Sequence, residues 1–446
     1  MNKRFLHLDF KGIVPAFEAL EEYFRYFKDC GFSGIVFEFD CRVRWRSWPG
    51  AGMPEYSAEQ AAKIVSLAES YGFETIPLMQ IQGHLEWALG EEPYANLREN
   101  NYFTLCPSAP GAREQLFAWM QELREMFPNS RYIHLGADEV LHMGLCPLCR
   151  AKCGENGDKF KLYLEHATAL CRQAEKLNFR PMIWGDMLLG ESDPVAAAKQ
   201  LPEKTIIVDW KYWGRGPHKS TETLKKSGLE VWGASGVQCA WYEHFRQILP
   251  FYEDRLENIL GWHNFDGTVI HTTWGRSGNK YGVYPPWLMT LPLWVAAGDP
   301  ERWEKHPWKA GVEKLSRLLR RALEFELVRL PAEIRKWETR CRLEEESREY
   351  LALGVEFQIL VNRLLEIISD YDSQLESRRF VGIDPRIMER DLLHGPQKLR
   401  KDLDALLPKL AAVFDRNQLS AKEEFLAEFS SQFRRLDEVK PFELQK

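Results

Sequence analysis

Short apolar runs alternate with amphipathic stretches along roughly the first 275 residues, the order expected of repeated strand-helix units. The pattern predicts strands at Phe5–Phe10, Gly34–Asp40, Glu74–Gln80, Tyr132–Gly136, Pro181–Asp186, Thr205–Trp210, Glu230–Ala234 and Thr268–Trp274. Between them Ala58–Tyr71, Ala112–Phe127 and Lys159–Leu177 carry apolar residues at helical spacing. Ser57 is placed to cap the first of these helices, and Gly72 to end it. Eight such units predict an α/β fold, a (β/α)8 TIM barrel, over residues 1–300. A doubly wound open sheet is the alternative, but His7-Leu8-Asp9-Phe10-Lys11-Gly12 lacks the GxGxxG turn usual after its first strand. Beyond Pro300 strand character gives way to long helical periods, as at Leu315, Leu318, Leu319, Ala322 and Leu323, predicting an all-helical C-terminal domain over 301–446.

A formal charge of 59 − 65 = −6, with no basic run, argues against nucleic acid or an anionic membrane as partner. Lys3, Arg4, Asp9 and Lys11 interrupt the apolar core a secretory signal needs. Nine cysteines, an odd number in a large chain, suit reduced thiols and a cytoplasmic location. The 16 tryptophans stand out, because indole faces serve a core and a sugar-stacking wall equally well.

Barrel chemistry is built where strands end, so those positions carry the candidates. The fourth is the densest: Tyr132-Ile133-His134-Leu135-Gly136-Ala137-Asp138-Glu139-Val140 runs an apolar strand into two adjacent carboxylates. Adjacent anions repel and raise at least one pKa, which keeps a carboxylic acid protonated for donation to a glycosidic oxygen. The competing interpretation makes Asp138 a helix cap and Glu139 a first-turn residue, and the spacing alone leaves both open. Trp184, Trp210, Trp232 and Trp274 stand at four successive predicted strand ends. Four indoles on one rim suggest a pyranose pocket. Glu38 and Asp40 are candidates for sugar hydroxyls. His84 and His134 could join the carboxylate network, or simply end a strand and fill the core.

At these residues the chain resembles the family 20 glycoside hydrolases, the β-N-acetylhexosaminidases. His134-Leu135-Gly136-Ala137-Asp138-Glu139 is similar to that family's His-x-Gly-Gly-Asp-Glu signature. Gly83-His84 followed by Trp87 resembles its Pro-Gly-His segment, and Trp184, Trp210 and Trp274 fall at its pocket tryptophans. The start on strand one and the helical C-terminal part look most like the hexosaminidase D-type branch. The resemblance implies a retaining exo-β-N-acetylhexosaminidase in which the substrate's own acetamide oxygen attacks C1. Asp138 would then polarise the acetamide N–H, and Glu139 would serve as acid and base. Three departures accompany it. Lys11 stands in place of a hydroxyl-binding arginine, and Trp274-Gly275-Arg276 replaces Trp-Gly-Glu, with Arg276 a candidate substrate contact. The Trp-Tyr of strand seven is missing from Val231-Trp232-Gly233-Ala234-Ser235, which makes Tyr212 the candidate for holding the acetamide oxygen.

The residues call for no cofactor. Cys146-Pro147-Leu148-Cys149 with Cys153 reads first as reduced thiols; structural zinc is the alternative, with His142 or Cys171 as fourth ligand. The expected partner is an N-acetylhexosaminide or oligosaccharide, and the C-terminal helices could buttress the barrel or form a homodimer. A non-catalytic sugar-binding barrel is the rival function. A metal-dependent barrel hydrolase ranks last, since His7-Leu8-Asp9 is not His-x-His.

Overall fold

Side chains alternate across each strand, so one set meets its counterparts inside a closed sheet and the other meets the helices. Phe5, Val36, Ile76, Met182, Val208 and Ile270 fill the barrel interior. Leu6, Ile35, Ile133, Ile183 and Ile207 pack outward with helix residues such as Ala61, Ile64, Leu116 and Leu170. The computed structural model describes residues 3–11, 17–52, 54–99, 103–140, 142–153, 157–238, 252–274, 294–306 and 395–416, with positions 309, 313, 360 and 423.

The strands are β1 (Arg4–Asp9), β2 (Gly34–Glu38), β3 (Glu74–Pro77), β4 (Tyr132–His134), β5 (Arg180–Trp184), β6 (Ile206–Trp210), β7 (Glu230–Gln238) and β8 (Val269–Thr273). Between them lie α1 (Leu20–Cys30), α2 (Ala58–Ser70), α3 (Glu86–Leu89), α4 (Ala112–Met126), α5 (Pro147–Cys153), α6 (Lys159–Lys176), α7 (Asp186–Leu189), α8 (Pro194–Ala198), α9 (Lys219–Lys225) and α10 (Tyr252–His263). All paired strands are parallel, in the order β3-β2-β1-β8-β7-β6-β5-β4. A parallel bridge from Leu78 to His134, with Met79 N–H donating to the His134 carbonyl at 2.9 Å, joins β3 to β4 and closes the barrel. The fold is the expected (β/α)8 barrel.

Local signals work as the sequence suggests at α2. Ser57 Oγ accepts the Gln60 N–H at 3.1 Å and Gln60 Oε1 accepts the Ser57 N–H at 2.9 Å, a capping box. Such a cap is worth ~1 kcal/mol.

Strand seven corrects the sequence reading. It runs on from Ala234 to Gln238, and Gly236 within it is a point of close approach. A Cβ there would stand 2.9 Å from Tyr212 Cβ, and the Gly236 N–H is taken by Asn258 Oδ1 at 3.1 Å. Trp232 is therefore near the start of β7 rather than on the rim. It packs in the barrel interior at 5.4 Å from Phe5 and 5.3 Å from Tyr132, ring centroid to ring centroid. Of the expected 301–446 helical domain, the described residues include the helix Gly395–Arg416; most of the remainder lies outside them.

Candidate functional site

The chain leaves β4 in an unusual conformation. Gly136, Ala137 and Glu139 have φ of 59°, 69° and 48°. Left-handed backbone at a non-glycine residue costs of order 1–3 kcal/mol and gathers at functional sites. Five described non-glycine residues have positive φ, and four of them, Asp40, His84, Ala137 and Glu139, follow β2, β3 and β4 on one rim. No helix begins at Asp138; the next is α5, from Pro147. The helix-cap interpretation of Asp138 is thereby set aside.

Close backbone approach brings the β3 and β4 loops together. A Cβ on Gly83 would meet the Asp138 carbonyl at 2.7 Å, so glycine there lets its neighbour His84 reach the carboxylates. His84 Nε2 lies 3.4 Å from Asp138 Oδ2 and 3.3 Å from Glu139 Oε2. Burial lowers the pKa of His84, but Asp138 and Glu139 outweigh it and lift it to about 10, so the ring is a cation at neutral pH. Phe103 packs against it edge-on at 4.7 Å. Glu139 is the most open of the three, its side chain 40% exposed against 15% for His84 and 10% for Asp138.

Asp186, at the end of β5, braces the same loop. Its Oδ2 accepts the Glu139 backbone N–H at 2.9 Å, and its Oδ1 accepts Trp210 Nε1–H at 3.3 Å. Burial first, and the Asp138 charge second, raise its pKa to about 7. Trp210 stacks on Tyr212 at 5.1 Å, and Trp274 Nε1–H donates to the Tyr212 hydroxyl at 2.9 Å. Trp210 and Trp274 are partly exposed, so this aromatic wall is open beside the carboxylates.

Several predicted contacts are buried beneath the rim. Glu38 and Asp40 are fully buried with Lys11, whose Nζ stands 2.6 Å from Glu38, 3.0 Å from Asp9 and 3.3 Å from Asp40. Glu38 also meets His7 at 2.9 Å and accepts from Gln80 at 3.3 Å. Burial pushes the Glu38 carboxyl up, but Lys11 and His7 together hold it below the usual range; Asp40 is pushed up to about 8, chiefly by burial. Lys11, Glu38 and Asp40 thus meet one another in a single ion cluster beneath the rim. His134 is likewise a core residue. It is fully buried, packs on Trp184 at 4.2 Å, accepts the Gly136 N–H on Nδ1 at 3.0 Å, and burial drops its pKa to about 3. Trp184 is buried between His134 and Trp274. Trp87 belongs to a core with Trp48 and Trp119. Arg276 lies outside the described residues.

Residues 43–247 match the catalytic domain of glycosyl hydrolase family 20. Bovine hexosaminidase D is 30% identical over 278 residues, spanning 60% of this chain and 80% of the relative. The chain belongs to glycosyl hydrolase family 20. Human hexosaminidase D is 28% identical over 312 residues, and this chain spans 63% of its length. A solved family 20 structure, an exo-β-N-acetylglucosaminidase of Vibrio harveyi, superposes with a TM-score of 0.51 at 17% identity, covering 72% of this chain and 58% of that one. That likeness is one of fold.

Sequence reasoning passed over two features of this family 20 chain. Asp186 was visible as an acid directly after a strand, in Trp184-Gly185-Asp186, but nothing local tied it to Glu139. The other is the Trp241-Tyr242 pair, a few positions past Gln238 in the sequence and so beyond the Val231–Ser235 segment in which a Trp-Tyr was sought. Residues 239–251 lie outside the described residues.

Proposed function

We propose that the protein is a retaining exo-β-N-acetylhexosaminidase, removing terminal β-linked GlcNAc, GalNAc or both. The observation that carries this reading is the Asp138–Glu139 pair held against the His84 cation on the barrel rim. In this mechanism the substrate's acetamide oxygen attacks C1, an oxazolinium ring forms, and the glycosidic bond breaks. Asp138 orients and polarises the acetamide N–H. Glu139 gives its proton to the leaving oxygen, then takes one from the water that opens the ring. The attack is intramolecular and draws on a high effective molarity, provided the acetamide is pressed beneath C1. Trp210 and Trp274 are the walls suited to that, and the phenol for the acetamide oxygen is Tyr212 or, in the Trp-Tyr pair that follows β7 in the sequence, Tyr242. The Tyr212 hydroxyl accepts from Trp274 Nε1–H. None of the seven described cysteines is in a disulfide, which supports a reducing, cytoplasmic setting. No described helix is long and apolar enough to cross a membrane.

The test compares nitrophenyl N-acetyl-β-glucosaminide, its galacto epimer and the β-glucoside lacking the acetamide. Turnover of either acetamido sugar without the glucoside is expected. Glucoside turnover alone would overturn the mechanism, and binding without turnover would favour a non-catalytic sugar-binding barrel.

A further inference from the structure

Behind the Asp138–Glu139 loop the chain gathers four side chains that the sequence separates. Glu99 and Cys106 come from the β3 loop, Cys146 and Cys149 from the start of α5, and one ligand atom from each lies within 4.8 Å of all the others. Cys106 Sγ is 3.4 Å from Cys146 Sγ and 3.5 Å from Cys149 Sγ. Glu99 Oε2 is 3.5 Å from Cys146 Sγ and 3.0 Å from Cys149 Sγ. A tetrahedral zinc with Zn–S of ~2.3 Å and Zn–O of ~2.0 Å requires S···S edges of ~3.8 Å and S···O edges of ~3.5 Å. These four edges lie within about half an ångström of those figures, and Cys106 Sγ is much too far from either sulfur for a disulfide. The Cys149 N–H donates to Cys146 Sγ at 3.3 Å, a backbone hydrogen bond aimed at a sulfur that would carry negative charge. Glu99 Oε1 is held by the N–H groups of Leu145 and Cys146 at 2.6 and 2.9 Å, which leaves Oε2 for the sulfur side.

We propose that Glu99, Cys106, Cys146 and Cys149 form a structural zinc site that clamps the β3 and β4 loops together. Three thiolates and a carboxylate select zinc over calcium or magnesium, and a closed set of four leaves no position for substrate. Binding releases three thiol protons to solvent, and the backbone N–H groups offset part of the remaining negative charge. The third sulfur is Cys106 in place of Cys153, which the cluster excludes, and neither His142 nor Cys171 takes part. The same two loops carry His84 and the Asp138–Glu139 pair, so the ion would hold the catalytic rim from behind. Ser108 Oγ, 3.3 Å from Cys149 Sγ, is a further donor to the thiolate.

The experiment measures metal by mass spectrometry in the full chain, expressed with zinc and purified without chelator. About one zinc per chain is expected in wild type and in Cys153→Ser, falling at least fivefold in Cys106→Ser and Cys149→Ser. If those variants fail to fold, titration of the wild type with a mercurial reagent serves instead, and zinc should be released as the thiols react. Cobalt(II) in place of zinc should show thiolate-to-metal charge transfer. Zinc below about a tenth of an equivalent, stoichiometric iron, or a disulfide among these cysteines would each overturn the proposal.

Discussion

The carboxylate of Asp186 accepts the backbone N–H of Glu139 at 2.9 Å. The acid that follows β5 thus fixes the main chain of the residue beside Asp138, where Glu139 has a φ of 48°. With its second oxygen on Trp210 at 3.3 Å, Asp186 couples the aromatic wall to the catalytic loop.

Asp186→Ala should loosen that loop and lower turnover ~10- to 10²-fold, with a smaller change in KM, since misplacement by about 1 Å can cost ~10²-fold. A pH dependence checks the cause. With its folded pKa raised from 3.8 to about 7, Asp186 contributes stability that is present in full below 3.8 and lost as pH rises through about 7. The stability difference between wild type and Asp186→Asn, read from urea midpoints, should therefore shift between those limits and stay level above them. A flat difference throughout would mean Asp186 does not titrate there.

His84 carries the cation between Asp138 and Glu139, and His84→Gln removes it. Turnover should fall ~10²-fold, the usual scale for one electrostatic contact at a reacting centre. The folded pKa is raised from 6.5 to about 10, so its contribution is full below 6.5 and lost as pH climbs through about 10. The imidazole proton signals of His84 in NMR should titrate in the alkaline range; titration near 6.5 would remove the ion-pair assignment.

The two acids should separate by leaving group. Nitrophenol departs with little protonation, so Glu139→Gln should cost natural glycosides ~10²–10⁴-fold and nitrophenyl glycosides far less. Asp138→Asn should slow both, because it acts on ring closure. Equal, mild losses for both variants on both substrates would reverse these roles.

Tyr242→Phe and Tyr212→Phe form a paired test of the acetamide contact. The first should reduce kcat on acetamido sugars ~10²-fold through a misplaced nucleophile. The second removes the acceptor for Trp274 Nε1–H and should cost less, a few-fold. The opposite ranking would return the role to Tyr212.

Much of the barrel was legible in the chain. Apolar alternation located all eight strands to within a few residues, and Ser57 capped α2 as its spacing indicates. Strand ends were less legible, since they depend on what lies opposite. The continuation of β7 through Gly236 depends on Tyr212 and Asn258, which pack against that glycine from elsewhere in the chain. Ending β7 too early put Trp232 on the rim. Burial was harder still: Glu38, Asp40 and His134 stand at strand ends as open residues would, yet neighbours from elsewhere in the chain enclose them.

What the sequence determined by itself is the repeating unit and the identity of the paired acids, because periods of two and 3.6 residues and the order of side chains are local properties. Tertiary structure decided what depends on contacts between distant segments. The Leu78–His134 bridge closes the barrel, and the approach of Gly83 to Asp138 delivers His84 to the carboxylates. In the same way Cys106 joins Cys146 and Cys149 from 40 and 43 residues away. Such encounters are set by how the loops pack once the strands are paired, and no local pattern in the chain encodes them.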